Sequence, residues 1–245
     1  MSLAAQKIHD VTLGTYAIPA GLTPLVPIPF VDAAVARRVQ RAMFERVARE
    51  HGRELSRDDS LALTEAPKQS ALDRVRGAAG TVAVYPLRWV FRRVVLALLF
   101  KDVTDLAAKT YVYGLAFDLA LSEGWLDEHG PARVGQAIAA AGEAVGTSPV
   151  ERALKSGLEV IKREGPKLLK RFGVAIAQGE DHGAAKAAQP AAEAFAQALG
   201  PMERVREGLA ASMRATLGVK ERRADEPEAK RERPAVSNGE SHAKH

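Results

Sequence analysis

Apolar residues recur at helical spacing along most of the chain, which predicts helices rather than strands. The pattern is clearest after Asp32, where Val35, Val39 and Met43 follow one another at intervals of four residues. Asp32 is a residue suited to the N-cap position, and Gly52 is suited to the end of a helix. We therefore predict a helix between Asp32 and Gly52.

The segment before this helix, residues 11–31, has no charged residue and is interrupted by proline and glycine. Its 21 residues would be long enough to cross a bilayer, which takes about 20. Proline and glycine would break a helix there, however, and lipid does not tolerate unpaired backbone groups. The sequence predicts an apolar, extended or broken lead-in, in a chain that touches a membrane without crossing it. The interrupting residues are Gly14, Pro19, Gly21, Pro24, Pro27 and Pro29.

Further helices are predicted before residue 126. Ser56, with an acidic residue three positions later, resembles a capping box that opens a short helix. A second helix begins at Pro86 and is apolar nearly all round. From residue 102 to residue 123 the chain continues as helix, with Gly124 as the stop.

After residue 125 the chain becomes rich in alanine, and Gly-Pro or Ser-Pro pairs divide it. These pairs predict four helical stretches up to residue 218. From residue 219 onward charged residues of both signs dominate and almost nothing is apolar, which is typical of a disordered tail. The dividing pairs are Gly130-Pro131, Ser148-Pro149, Gly165-Pro166 and Gly200-Pro201.

Together these elements predict an all-α protein, an irregular helical bundle with an Ala-rich helical extension and a disordered C-terminal tail. We expect a helical domain with a Pro-rich apolar lead-in over residues 1–126 and an Ala-rich helical region over residues 127–218. A disordered charged tail over residues 219–245 follows. Eight of the 13 aromatic residues lie between positions 85 and 125, so we expect the core there.

The sequence offers little catalytic chemistry. The absence of cysteine among 245 residues excludes a disulfide, a thiolate metal site and a cysteine nucleophile. The sequence contains no phosphate-binding Gly-rich loop, no nucleophile-elbow serine and no zinc-type histidine pair. We predict a non-enzymatic protein with no catalytic residue, no metal site and no cofactor. The rival is an enzyme whose pocket gathers Asp102, Asp105 or His51.

Basic charge beside apolar surface is the more informative signal. Residues 68–101 carry seven Lys or Arg and one acid, and residues 151–172 interleave basic and apolar positions. Such stretches suit an anionic membrane surface, where each cation adds about 1 kcal/mol. They equally suit a core helix with arginines that reach solvent, or an amphipathic helix with a solvated face. The predicted contact residues are first Arg88, Trp89, Arg92 and Arg93, and second Lys162, Lys167, Lys170 and Arg171.

The first half of the chain resembles a known bacterial family. A Pro-rich apolar entry leads to an Asp and a helix with a mid-helix Gln and Met, and a later helix carries Thr-x-x-x-Gly. This pattern is similar to the domain of unknown function 697 family and, less closely, to the EcsC family. Over about residues 15–126 the resemblance implies an all-helical, membrane-associated module that serves a GTPase, with no active-site residue carried over. The matching residues are residues 24–32, Gln40, Met43, Ala48, Gly52, Thr110 and Gly114, whereas His51 stands where the family has Tyr.

The expected function is therefore that of a non-enzymatic helical adaptor or regulator. It would act at the cytoplasmic membrane surface or on a membrane-bound partner, with a GTPase as a candidate partner. The expected location is the cytoplasm, peripheral at the inner membrane. The alternative is a structural or granule-coating protein made of amphipathic helices. Nucleic acid is an unlikely partner, because the net charge of +5 is mild and the aromatic residues accompany aliphatic runs.

Overall fold

The computed structural model describes residues 3–23, 32–64, 92–178 and 180–219, and these residues are almost entirely helical. No strand occurs among them, which confirms the all-α prediction. The predicted helix start at Pro86 and the predicted tail beyond residue 219 lie outside the described residues. The helices are α1 (Leu3–Leu22), α2 (Asp32–Glu50), α3 (Arg57–Thr64), α4 (Arg92–Ser122), α5 (Trp125–His129), α6 (Pro131–Val145), α7 (Ser148–Gln178), α8 (Asp181–Ala198) and α9 (Glu203–Leu217).

Helix α1 corrects the prediction for the N-terminal segment. Residues 11–22 are helical rather than extended or broken, and Pro19 lies inside the helix near its end. Leu13, Ala17 and Ile18 are at most 1% exposed. Their packing offsets the roughly 3 kcal/mol that an internal proline costs a helix. The other prolines of the segment fall in residues 24–31, which lie outside the described residues.

Two glycines let α1 approach its neighbours closely. A Cβ atom at Gly21 would lie 2.5 Å from the carbonyl oxygen of Val103 on α4. A Cβ atom at Gly14 would lie 2.9 Å from the ring of Phe195 on α8. Real Cβ atoms do not approach other atoms so closely, so glycine at these positions is what permits α1 to pack between α4 and α8.

Local sequence signals correctly predict both ends of α2, the beginning of α3 and the end of α4. Helix α2 begins at Asp32, and Gly52 follows its end with a φ of +71°. The hydroxyl of Ser56 accepts a hydrogen bond of 3.0 Å from the backbone N–H of Asp59, which caps α3. Gly124 follows α4 with a φ of +75°, a conformation that glycine adopts without strain.

One predicted division in the Ala-rich region is wrong. Helix α7 continues through Gly165 and Pro166 and ends only at Gln178. The next helix, α8, begins at Asp181. Leu154 and Leu158 are buried and α7 packs against α8, so tertiary contacts made along the helix offset the cost of its internal proline. The other divisions are confirmed, with α6 beginning at Pro131, α7 at Ser148 and α9 at Glu203 after Gly200-Pro201.

The hydrophobic core is one contiguous cluster that contains side chains from both sides of residue 126. Helix α1 packs mainly against α8 and α4, and α6 packs against α9 and α3. Phe44 and Phe117 stack at 4.6 Å between ring centroids, and Tyr111 meets Phe195 edge to face at 5.0 Å. The described helices before and after residue 126 therefore share a core, while the division of the chain into two parts stays a prediction.

Candidate functional site

The first predicted contact set lies mostly outside the described residues. Arg88 and Trp89 are not described. Arg92 and Arg93 form the first residues of α4, and their side chains are outside the description as well. This set therefore stays a prediction.

The second predicted set lies on a single helix. Lys162, Lys167, Lys170 and Arg171 all belong to α7, which is 31 residues long and uninterrupted. The side chain of Arg171 is exposed, whereas those of the three lysines are outside the description. The helix thus brings the set together along one axis and places at least one member in solvent.

Exposed cations continue along α7 beyond the predicted set. Arg152, Lys155 and Arg163 are exposed like Arg171, and we call these four residues the basic face. The first and last of them are 19 positions apart, which corresponds to about 29 Å at 1.5 Å per residue. Glu159 is exposed among them, so the basic face carries one acid within its length.

The far end of the basic face is apolar. At about 100° per residue, Arg152, Arg163 and Val174 lie within about 40° of one another around the helix. Val174 is 45% exposed. Among the described residues, it is the large apolar side chain that is exposed to solvent. The opposite side of α7 is buried through Leu154 and Leu158. Helix α7 is therefore amphipathic, with its cations outward and its leucines in the core.

Among the described helices, none is long and apolar enough to cross a membrane. The predicted catalytic candidates Asp102 and Asp105 are exposed on α4. No group of three or more His, Asp or Glu side chains in the described residues is arranged to hold a metal ion.

The structure reveals one polar feature that the sequence reasoning missed. Seven ionisable side chains, six from α1, α2, α4 and α9 and one from the residue after α2, come together from the interior to the surface, and we call them the polar cluster. Burying a polar group costs free energy unless it is hydrogen-bonded or paired with an opposite charge, so the buried members of the cluster depend on one another as partners. Its members are His9, Asp10, Glu50, His51, Tyr111, Asp118 and Arg206.

The carboxylate of Asp118 is the centre of the polar cluster. One oxygen, Oδ1, lies 2.9 Å from Nε2 of His51, and the other, Oδ2, accepts a hydrogen bond of 3.3 Å from Nη1 of Arg206. Nε2 of His9 lies 3.6 Å from the same Oδ2, which is too far for a hydrogen bond but close enough for ionic attraction. The side chain of Asp118 is 10% exposed, so these attractions are little screened by water.

His9 is held between two carboxylates. Its Nδ1 atom lies 3.6 Å from Oε2 of Glu50, whose Oε1 accepts a hydrogen bond from Arg46. Burial lowers the pKa of His9, but the neighbouring Glu50 and Asp118 outweigh it, and the pKa is raised above the ordinary 6.5. Conversely, His9 is the main cause that lowers the pKa of Glu50, with burial acting against it and Arg46 supporting it.

Asp10 and Tyr111 form the deepest pair of the cluster. The hydroxyl of Tyr111 donates a hydrogen bond of 2.7 Å to Oδ1 of Asp10. Burial raises the pKa of Asp10, although this hydrogen bond acts in the opposite direction. Burial, and then the charge of Asp10, raise the pKa of Tyr111 well above 10, so this residue serves as a donor and not as an acid.

The polar cluster joins helices and does not by itself define a reaction. Asp118 and Glu50 face groups of opposite charge, while Asp10 is paired with the hydroxyl of Tyr111, which is the pattern of a structural network as well as of an acid–base site. The basic face, in contrast, presents unburied charge that is available to a partner. Comparisons with protein-family models, with curated proteins and with solved structures found no match for this chain. The likeness to the domain of unknown function 697 family stays a prediction.

Proposed function

We propose that this chain is a non-enzymatic helical adaptor that docks on an anionic membrane surface, or on a membrane-bound partner, through the basic face of α7. The single observation that supports the proposal is the set of four exposed cations on α7 together with the exposed Val174, which lies close to Arg152 and Arg163 around the helix. Cations beside apolar side chains on one helix suit the boundary between lipid headgroups and acyl chains.

The strength of such docking follows from the charges. Each net positive charge near an anionic leaflet contributes about 1 kcal/mol, so four cations less the acid Glu159 contribute about 3 kcal/mol, equivalent to a Kd of about 6 mM. The basic face alone would therefore give weak and salt-sensitive binding, because exposed charges are screened beyond about 10 Å at 0.1 M salt. A second contact, for which Arg88, Trp89, Arg92 and Arg93 are the predicted residues, would strengthen it. A GTPase is the proposed membrane-bound partner, on the basis of the family resemblance alone.

The granule-coating alternative is less well supported by the packing of the Ala-rich helices. Ala188, Ala191 and Ala192 of α8 are at most 1% exposed, and α8 packs on α1. A coat protein would need such a face free to spread on its target. Circular dichroism of the full chain, with and without an added apolar surface, separates the two ideas. A coat protein gains helix on that surface, whereas the proposed adaptor does not.

Co-sedimentation with vesicles tests the proposal. We expect the full chain to bind vesicles that contain phosphatidylglycerol, to bind pure phosphatidylcholine poorly, and to dissociate as salt is raised. The variant with both Arg152→Glu and Arg163→Glu should lose most of this binding, since it reverses two charges on one line of the basic face.

A matched control carries the same charge change elsewhere. Arg57→Glu with Arg204→Glu alters two exposed residues at the first turns of α3 and α9, where acidic residues are tolerated. We expect this variant to bind like the wild type. Equal binding by all three proteins, with unchanged circular dichroism, would show that the basic face is not the contact.

A further inference from the structure

An open groove lies where the C-terminal end of α7 meets the beginning of α8. Its volume is about 640 Å³, within the range of about 300–1,000 Å³ that is usual for small-molecule sites. Val174, Ala175 and Ala187 form apolar walls. Arg171 from α7 and Lys186 from α8, both exposed, stand on its borders. The groove thus combines an apolar interior with cations from two different helices.

Glu180 also borders the groove and is exposed. It occupies the N-cap position of α8 without a side-chain capping hydrogen bond, and its Oε2 atom would lie 2.9 Å from a Cβ atom added at Gly183. Backbone N–H groups at a helix start favour a negative charge there. Arg171 and Lys186 outnumber this one acid, so the described border of the groove keeps a net charge of +1 and favours an anion.

An apolar interior with a cationic border complements a molecule that has an apolar chain and a negative head. We propose that the groove receives an acyl chain of an anionic bilayer lipid, with the lipid headgroup against Arg171 and Lys186. This inference rests on the proposed function and deepens it. In this arrangement the basic face contacts the headgroups of the bilayer, and the groove holds the acyl chain of a single lipid.

The absence of cysteine makes a direct test possible. Val174→Cys in the full chain accepts a polarity-sensitive thiol fluorophore at a single position. The control is Gln136→Cys, which is exposed on α6 and lies neither on the basic face nor in the groove. With vesicles of equal parts phosphatidylcholine and phosphatidylglycerol, we expect a blue shift at position 174 and none at position 136. Lipids with a quencher on the acyl chain should quench the first probe only.

A second variant tests the groove without a label. Ala187→Trp fills the groove, and Ala198→Trp places the same side chain at an exposed position on the same helix. Loss of the contact made by about two methylene groups should weaken vesicle binding by about tenfold in the first variant. The second variant should bind like the wild type. Circular dichroism confirms that both remain folded.

The outcomes separate the two proposals. If the wild type binds anionic vesicles but the position 174 probe does not shift and Ala187→Trp binds normally, the groove proposal is wrong and the proposed function stands. If neither the wild type nor any variant binds vesicles, both the groove proposal and the proposed function are wrong. A shift produced by a monomeric fatty acid or by an acidic peptide, but not by vesicles, would overturn the bilayer lipid as the occupant.

Discussion

The carboxylate of Asp118 illustrates how one residue can organise several helices. It belongs to α4 and attracts His9 from α1, Arg206 from α9 and His51 after α2. Arg206 and a protonated His9, which converge in a partly buried space, repel one another unless an anion lies between them. The approach of α1 and α9 to α4 therefore depends on this charge.

His9 makes the stability of the fold depend on pH. A histidine whose pKa in the folded protein is raised above 6.5 binds its proton more tightly there than in the unfolded chain. The resulting stability is fully present below pH 6.5 and is lost as the pH rises through the raised pKa. We expect the free energy of unfolding, from urea titrations at a series of pH values, to fall with increasing pH in that window. The slope should be at most about 1.4 kcal/mol per pH unit.

The control for this prediction is His9→Gln, which keeps a polar side chain but cannot titrate. The difference in unfolding free energy between wild type and variant should shrink as the pH rises through the window. A difference that stays constant with pH would mean that His9 does not change its protonation between the folded and unfolded states.

Among the elements, α1 depends most clearly on residue size. Alanine normally stabilises a helix relative to glycine by about 1 kcal/mol. Gly21→Ala should do the opposite, because its Cβ would meet the carbonyl oxygen of Val103 at 2.5 Å and the backbone of α4 cannot move as a side chain can. We expect a loss of about 1–3 kcal/mol in chemical denaturation.

Gly200→Ala provides the comparison for Gly21→Ala. No atom lies within 4 Å of a Cβ at Gly200, so the same chemical change meets open space. A similar effect of both substitutions would contradict the close packing of α1 on α4.

Element boundaries were predictable from the sequence where the signal was local. The cap of Ser56 and the stops at Gly52 and Gly124 depend on residues a few positions apart. Prolines misled the prediction, because Pro19 and Pro166 lie inside helices that tertiary packing stabilises. A single sequence does not show such packing in advance.

The polar cluster was not predictable for a related reason. His51 and Asp118 are 67 positions apart, and Tyr111 is 101 positions from Asp10. Nothing in the local pattern pairs residues at such separations. The sequence offers one partial signal: Asp118 lies within an otherwise apolar stretch of α4, where a charged residue is unusual. The exposed α7 cations, in contrast, follow from the amphipathic pattern itself.

The molecule as a whole should unfold as one unit across residue 126. Phe195 of α8 is fully buried and contacts Tyr111 of α4. Phe195→Ala should lower the free energy of unfolding by about 3–5 kcal/mol. The variant should unfold in one transition at a lower urea concentration than the wild type. Circular dichroism and tryptophan fluorescence should give the same midpoint for it. Two separate unfolding transitions, of which only one changes its midpoint in the variant, would instead show that the helices before and after residue 126 unfold independently.

The packing of α1 against α8 also has a consequence for synthesis on the ribosome. Helix α1 is made early, yet its partner Phe195 follows Gly14 by 181 residues. At about 5–20 residues per second, the ribosome takes roughly ten seconds or more to supply that partner. During this interval the side of α1 that packs against α8 has no permanent cover, so we expect that side of the nascent chain to be open to chaperones that shield exposed apolar helices.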